Sequence, residues 1–468
     1  MRLRPLALAL ALAGISAPAA ATDLVQAYDL AKDSDPQFAA SEALKNAQGE
    51  GVVQSRAALL PQVTADANFT RSESRSTGNQ VFAGTPTPTN STSGESNSRS
   101  TGINLRQSVF DFSNYTRLGA SKARTRQAEA EFDAASDSLI VRTADAYFNV
   151  LTAIETLASS RAEERSVKRP LDQAEKRLEV GLAPITDVHE ARARYDSARA
   201  ATILQATALD DAYEALAEIT GQKLSNLRGL SPDFRPENTD SRGIEEWVQL
   251  ALDNNPTLRA RAEALAAAQK DVGTARAGHY PTLSATASYG DDARWGDSVL
   301  QGTPNQFSSF GSAGNGPTYG ITLSVPIFSG FATQSRVRQA LFQRDAVADQ
   351  LEQEKRAIMR TTRGAFRNLI SGTAEVEARR LAVVSAQAAY EAGEAGLEVG
   401  TRTIVDVLIA QQQLFLAKRE YARSRHAYLV NLLRLRQAAG ILEPGDLQLV
   451  NRYLVADADA ALENVGRE

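Results

Sequence analysis

The sequence has no cysteine, only three histidines, and no apolar run long enough to cross a bilayer as a helix. The absence of cysteine excludes disulfides, thiolate metal sites, a cysteine nucleophile and a lipid anchor attached to cysteine. The apolar run from Leu6 to Ile15 falls well short of the roughly 20 residues that a membrane helix needs. We therefore expect the chain to be held together by packing alone, and to enter a membrane, if it does so, as a β-barrel.

Residues 1–21 are typical of a secretory signal peptide. Arg2 and Arg4 precede the apolar run, and Ala19–Ala21 supply a small-residue cleavage site. A membrane anchor is the alternative, but the run is too short for one. Loss of the two arginines changes the formal net charge from -5 to -7, because no acidic residue precedes Asp23. A mildly acidic chain without a basic tail argues against nucleic acid as a partner.

Catalytic motifs are also absent. His189, His279 and His426 lie far apart in sequence and fall on or beside helical or strand patterns, where we expect solvated side chains. The sequence contains no GxSxG elbow, no P-loop and no HExxH motif. It therefore predicts a protein that is not an enzyme and that uses no cofactor and no structural metal.

The sequence carries two copies of one pattern. Six pairs of matched residues have offsets, by subtraction, of 220, 220, 218, 219, 219 and 219: Pro36 and Pro256, Pro61 and Pro281, Phe110 and Phe328, Gly181 and Gly400, Asp187 and Asp406, and Gly221 and Gly440. This regular spacing predicts a duplicated structural unit. We place the first repeat at residues 22–240, the second at 241–441, and a C-terminal equatorial segment and tail at 442–468.

Each repeat predicts the same series of elements. A helix is expected at 36–60 and again at 256–280, from an Asp-Pro or Asn-Pro start to the next proline. Long stretches rich in Ala, Glu, Arg and Leu that stop at Gly181 and at Gly400 predict two helices of about 100 Å, each followed by a shorter return helix. The predicted order is strands at 61–72 and 101–111, long helix 112–180, turn 181–186 and return helix 187–220, then strands at 281–291 and 317–328, long helix 330–399, turn 400–404 and return helix 405–439.

The strand candidates alternate apolar and polar residues over about ten positions, as membrane strands do. Val63, Ala65, Ala67 and Phe69, for example, alternate with Thr and other polar residues. One face of a soluble sandwich is the alternative. The links at 71–99 and 290–316 are rich in Ser, Thr, Asn and Gly, and we expect them to be long loops. The cluster Gly311 to Gly316 is interpreted as loop, since no P-loop lysine follows it.

Four strands are too few to close a membrane barrel, because the smallest closed barrels use about eight. An open sheet would leave backbone groups unpaired in lipid. Two copies would supply eight strands and three would supply twelve, and only twelve leave an obvious water-filled lumen. The expected fold is thus a membrane β-barrel built from several chains and continued by an α-helical coiled-coil barrel.

Two turn motifs connect the chain to a known family. Arg177 to Asp196 reads RLEVGLAPITDVHEARARYD, and Gly400 to Leu408 reads GTRTIVDVL. Both resemble the TolC family of outer-membrane channel-tunnels, over about residues 24–449. The resemblance implies a homotrimer with a twelve-stranded barrel in outer-membrane lipid and a tunnel in the periplasm. It also implies an equatorial belt from about 221–245 and the segment after Ile441, a periplasmic adaptor protein, and an inner-membrane efflux pump or ABC exporter.

The resemblance further implies a gate where the helices of the two turns coil inward. The matching residues of this chain are Thr186 and Asp187 at the first turn, and Arg402, Asp406 and Ile409 at the second. Leu397 and Ile409 depart from the family pattern, which has a tyrosine and a second acidic residue there. Gathered carboxylates of Asp406 would attract divalent cations and allow cation block. The alternative is that Arg402 and Asp406 only cap helix ends. Adaptor docking is expected at Gly181, Leu182, Gly400 and Thr401.

Two other classes of protein compete with a channel. A periplasmic coiled-coil adaptor would also present long helical hairpins, but it does not explain two membrane-length strand pairs. A diffusion porin fits the strands and leaves more than half of the chain without a role. The sequence does not name the exported substrates, the adaptor or the pump.

Overall fold

The computed structural model describes residues 21–78, 81–82, 85–86, 90–182, 184–236, 241–301 and 305–458. The predicted signal peptide and the end of the tail lie almost wholly outside this range. The chain divides into two compact units, one formed by residues 46–128 and 261–350 and the other by the remaining segments. We call the first the sheet unit and the second the turn unit.

Helices dominate both repeats, and each sheet strand pair precedes a long helix. In chain order the elements are α1 (Leu24–Ser34), α2 (Pro36–Ala57), β1 (Gln62–Gly78), β2 (Val81–Phe82), β3 (Thr85–Pro86), β4 (Asn90–Phe110), α3 (Phe112–Glu179), α4 (Ile185–Thr220), β5 (Arg228–Leu230), α5 (Ile244–Asn254), α6 (Pro256–Ala277), β6 (Thr282–Gln301), β7 (Gln306–Ser324), α7 (Ala332–Glu398), α8 (Ile404–Ala438), α9 (Pro444–Asn451) and β8 (Leu454–Asp457).

The sheet unit contains an antiparallel sheet in the order β1-β4-β6-β7. The alternation expected from the sequence is present across all four strands. One register row consists of Val63, Leu105, Ala287 and Tyr319, and the next row consists of Thr64, Asn104, Ser288 and Thr318. Since neighbouring rows point to opposite faces, one face of the sheet is apolar at this level and the other is polar.

The strands are much longer than the sequence predicted. They contain 17, 21, 20 and 19 residues, which corresponds to about 55–70 Å at ~3.3 Å per residue. The expectation of long loops at 71–99 and 290–316 was therefore wrong, and the Gly311 to Gly316 cluster lies within β7. The low-complexity segments cannot build a core, but backbone ladder bonds hold strands together without one. Ion pairs such as Arg71 with Glu95, at 2.9 Å, add to these polar ends.

The long helices end at glycines with left-handed backbone. Gly181 has φ +74° and Gly400 has φ +79°, a conformation in which side chains with a Cβ are disfavoured. At 68 and 67 residues, α3 and α7 are each about 100 Å long. Among the described residues, no helix combines the length and the apolar character that crossing a membrane requires.

The largest buried cluster lies in the turn unit, where α3 and α8 contribute Tyr147, Leu151, Leu429 and Leu433. The hydroxyl of Tyr147 lies 3.0 Å from the carbonyl oxygen of Thr22 and 2.8 Å from that of Arg228. Strand β5 pairs with β8, so the two segments proposed for an equatorial belt lie side by side.

Candidate functional site: the two helical turns

The first turn joins α3 to α4 through a Schellman motif. The backbone NH of Gly181 donates to the carbonyl of Leu178 at 2.9 Å, and that of Leu182 donates to Arg177 at 2.7 Å. Leu182 is 70% exposed and Val180 is 67% exposed. The turn therefore presents apolar side chains to its surroundings.

Thr186 and Asp187 lie in the first turn of α4, immediately after the N-cap residue Pro184. Thr186 is exposed and Asp187 is half-buried. Within the described parts of the chain, neither side chain makes a hydrogen bond. The link to a neighbouring coil that the family resemblance implied is not made inside one chain.

The second turn repeats the same geometry. The NH of Gly400 donates to Leu397 at 3.2 Å, and the NH and hydroxyl of Thr401 donate to the carbonyl of Gly396 at 2.8 and 3.1 Å. The side chain of Arg402 lies against Gly396, where a Cβ would come within 2.6 Å of its Cγ. Gly396 therefore leaves room for the arginine stem.

Asp406 closes the N-terminus of α8 in a capping box with Thr403. Its Oδ2 accepts hydrogen bonds from the backbone NH of Thr403 at 3.0 Å and from the Thr403 hydroxyl at 2.9 Å. These hydrogen bonds, with the positive charge of Arg402 nearby, hold the pKa of Asp406 below its usual value. The capping role considered from the sequence is thus present, and it keeps the carboxylate ionised.

The two turns belong to helical hairpins that pack on one another. Ile404 contacts two small apolar clusters on α3 and α4, one around Leu171 and Val188 and the other around Val167. Leu408 belongs to the second cluster and is 2% exposed, whereas Ile409, the next residue, is 43% exposed. The helix face that carries Leu408 therefore fixes α8, and the face that carries Ile409 remains open.

Sequence reasoning missed a buried polar group two turns of helix from the tip. Gln411, 2% exposed, donates from Nε2 to the hydroxyls of Ser166 on α3 and Tyr390 on α7. Tyr390 in turn donates to Glu394 at 2.5 Å. Burial, and then Glu394, raise the pKa of Tyr390 to about 12. No sequence motif marks Gln411, because an isolated glutamine in a helix is usually solvated.

A second missed group is built around His426 on α8. The expectation of a solvated side chain was wrong here, because His426 is 2% exposed. Its Nδ1 lies 2.8 Å from the Thr152 hydroxyl, and Nε2 lies 3.5 Å from Glu155, which pairs with Arg425 at 3.1 Å. Burial and the charge of Arg425 lower the pKa of His426 to about 3, while burial raises the pKa of Glu155.

No cluster of three or more histidine, aspartate or glutamate side chains suited to a metal ion occurs in the described ranges. A carboxylate ring at Asp406 would require further copies of the chain.

Long helical hairpins, a four-stranded sheet with one apolar face, and two exposed turns define the class of outer-membrane channel proteins. The model of the family "Outer membrane efflux protein" matches residues 27–222 and again residues 247–441. The double match follows the two repeats. The chain belongs to this family, and it is a transport protein of the outer membrane whose helical part extends into the periplasm.

Individual relatives agree with this assignment. The outer membrane protein TolC of Vibrio cholerae is 34% identical over 455 residues, covering 97% of this chain and 98% of the relative. The alkaline protease secretion protein AprF of Pseudomonas aeruginosa is 30% identical over 438 residues, covering 93% and 88%. The outer membrane channel CmeC of Campylobacter jejuni has a TM-score of 0.72 at 17% identity, covering 92% of this chain and 90% of that one. The family assignment decides against the periplasmic adaptor.

Proposed function

We propose that three copies of this chain form the exit duct of an export system that spans the cell envelope. The observation that carries the proposal is the four-stranded sheet: among the described residues, its outer strands β1 and β7 each pair along one edge and leave the other unpaired. Unpaired backbone in lipid costs several kcal/mol for each group. Pairing β7 of one copy with β1 of the next removes both edges, and three copies give a twelve-stranded barrel.

The exported material is drawn from two classes, drugs and proteins. The family description names efflux, and AprF, similar over most of its length, is named for protease secretion. A tripartite arrangement with a periplasmic adaptor and either an inner-membrane pump or an ABC exporter fits both. The duct itself performs no chemistry and holds no cofactor in this proposal.

The adaptor docks at the two turns. Both turns expose apolar side chains. At the first turn Leu182 is 70% exposed and Val180 is 67% exposed, and at the second turn Val399 is 75% exposed. Glycines at both turns keep the backbone close to a partner. Burying such apolar side chains against a helical hairpin would contribute ~25 cal/mol per Å².

The gate consists of contacts between copies at the same turns. Thr186 and Asp187 of one copy pair with the exposed Arg402 of a neighbour, and Asp406 and Ile409 line the narrowest part. Exposed pairs contribute only about 0.2–1 kcal/mol each. A few of them per subunit hold a closed state that docking of the adaptor can reverse.

The test uses full-length protein purified from outer membranes. Native mass spectrometry should give a mass of three chains, and reconstitution in planar bilayers should give a low conductance that rises when Asp187 and Arg402 are both replaced by Ala. A monomer that conducts nothing would overturn the duct. An open wild-type trimer unaffected by the double variant would overturn the gate alone.

A further inference from the structure

Two features of the sheet unit have no explanation within a single chain. Phe331 is 73% exposed although it takes the left-handed conformation, with φ +66°, that bulky residues avoid, and the ring it meets edge to face, that of Phe328 at 5.6 Å between centroids, is itself 76% exposed. Gly49 and Gly51 lie in the middle of α2, where glycine disfavours helix, and a Cβ at either would meet nothing within 4 Å.

The duplication gives the first of these features a counterpart. Phe112 lies 219 residues before Phe331, and Tyr280 lies 220 residues after Leu60. Within the chain, the rings of Phe112 and Tyr280 meet edge to face with centroids 5.4 Å apart. The corresponding pair, Phe331 and Leu60, is not in contact within one chain, because these residues belong to the opposite edges of the sheet.

The two long helices also differ in their neighbours within the sheet unit. Helix α3 is flanked on both sides, by α2 through Ser55 and Ser121 at 2.5 Å and by α6 through Thr274 and Thr116 at 2.8 Å. On α7, by contrast, a groove of about 550 Å³ is lined by Ser335, Arg338, Gln339, Phe342, Gln343 and Ala346. Phe342 in this groove is 72% exposed.

The spacing of these residues matches a neighbouring copy. Phe331 and Phe342 are eleven residues apart, and so are Leu60 and Gly49. The corresponding helices inside the chain give the register: Gly119 of α3 lies against Lys270 of α6, and the offsets of 219 and 220 place Arg338 beside Glu50. Helix α2 leads into its strand whereas α7 leads out of one, so the helices of adjacent copies run antiparallel. Phe342 follows Arg338 by one turn on α7, and Gly49 is next to Glu50 on α2, so the same register brings Phe342 within about one turn of Gly49.

We propose that Phe331 and Phe342 of one copy pack on Leu60 and Gly49 of the next, as a bulky-to-small contact that joins α7 to α2. The inference rests on the assembly of copies proposed above and names the side chains that specify it. In repeat one the residue corresponding to Phe342 is Ala123, and in repeat two the residue corresponding to Gly49 is Gln269, by the same offsets of 219 and 220. The contact between copies therefore pairs a large residue of the long helix with glycine, whereas the corresponding contact inside the chain pairs alanine with glutamine.

A disulfide experiment tests the first contact, since the chain has no cysteine of its own. L60C/F331C should oxidise to covalent species of two and three chains that a reductant reverses. Each single variant should remain one chain on a denaturing gel. The pair F112C/Y280C is the matched control, because it should oxidise within one chain. Efficient control oxidation with no product between chains from L60C/F331C would overturn the contact.

A second experiment changes the sizes of the two side chains in the contact between Phe342 and Gly49. Leucine at position 49 favours helix and has free space within the chain, so Gly49→Leu should not destabilise a lone subunit. It should lower the dissociation temperature of the oligomer, and F342A in the same chain should restore it. Phe331→Gly relieves the backbone but should still lower that temperature.

If Gly49→Leu and Phe331→Gly each leave the dissociation temperature unchanged, the proposal is overturned, and the result indicates that lipid covers these rings. The wild-type mass separates the two proposals. If the wild type is a stable trimer but the variants show no such contact, only the contact is overturned and the duct stands. If the wild type is a monomer, both proposals are overturned.

Discussion

Oδ2 of Asp406 accepts hydrogen bonds from both the backbone NH and the hydroxyl of Thr403. The residue proposed to line the constriction is therefore also the residue that closes the N-terminus of α8. A substitution that removes the carboxylate alters both the constriction and the helix cap. The two roles can be separated with a side chain that keeps the cap but loses the charge.

Asp406→Asn is expected to lower block by divalent cations while it preserves the helix end, because the amide oxygen can still accept from Thr403. Asp406→Ala should lose both. The measurement is single-channel conductance during titration with a divalent cation, with helix integrity followed by circular dichroism. Wild-type cation sensitivity in the asparagine variant would reject Asp406 as the binding group.

The same carboxylate predicts a pH dependence. The pKa of Asp406 is held below its usual 3.8, so the group stays ionised where an ordinary aspartate begins to protonate. Cation block of the wild-type channel should weaken as acid protonates this carboxylate, and the residual block of Asp406→Asn should not change with pH over the same range. Equal pH dependence in the two proteins would show that another group is responsible.

Arg402→Ser should favour the open gate. If each exposed contact contributes about 0.2–1 kcal/mol, its loss changes the ratio of open to closed states roughly 1.4- to 5-fold per subunit. The readouts are conductance in bilayers and antibiotic leakage in cells. Arg402→Lys retains the charge and should remain near wild type, and an equal rise in that variant would point to packing against Gly396 instead.

Gln411→Ala should loosen both hairpins near the turns. The substitution removes the donor shared by Ser166 and Tyr390 at a buried position, at a cost of ~1–3 kcal/mol. Hydrogen exchange should become faster in the turns and remain unchanged in the sheet. Gln413→Ala, which truncates an exposed glutamine on the same helix, is the matched control and should leave the exchange near wild type.

His426 predicts a loss of stability in acid. The folded ring has a pKa of about 3 against 6.5 for an ordinary histidine. Its neutral form contributes fully above pH 6.5, and that contribution falls as the pH drops toward 3, by at most about 1.4 kcal/mol per pH unit. Glu155 makes stability rise as the pH falls, because its raised pKa lets the folded chain retain a proton that the unfolded chain loses.

The melting temperature of His426→Gln should therefore vary less between pH 7 and pH 5 than that of the wild type. That of Glu155→Gln should vary more. Parallel curves for the wild type and the histidine variant would contradict the assignment.

The long helices and their turns could be predicted because composition and glycine act locally. A run of good helix formers extends until a residue such as Gly181 permits a left-handed turn, and no distant contact is needed. The duplication likewise follows from offsets in the sequence alone.

The strand ends could not be predicted in this way. Residues such as Gly94 and Gly314 become strand only because neighbouring strands offer ladder partners, Ser74 for Gly94 and Asp292 for Gly314. The burial of His426 and Gln411 is also tertiary, since it depends on how α8 is seated on α3.

The polar length of the sheet has a consequence for tolerance to substitution. Only the rows nearest the helices carry the regular apolar alternation, and beyond them backbone pairing holds β1 and β4, which are rich in serine, to ends of β6 and β7 that carry few large apolar residues. Exchanging one small polar side chain for another there forfeits little packing. That end of the sheet can consequently accept exchanges among small polar residues at less cost than the rows next to the helices.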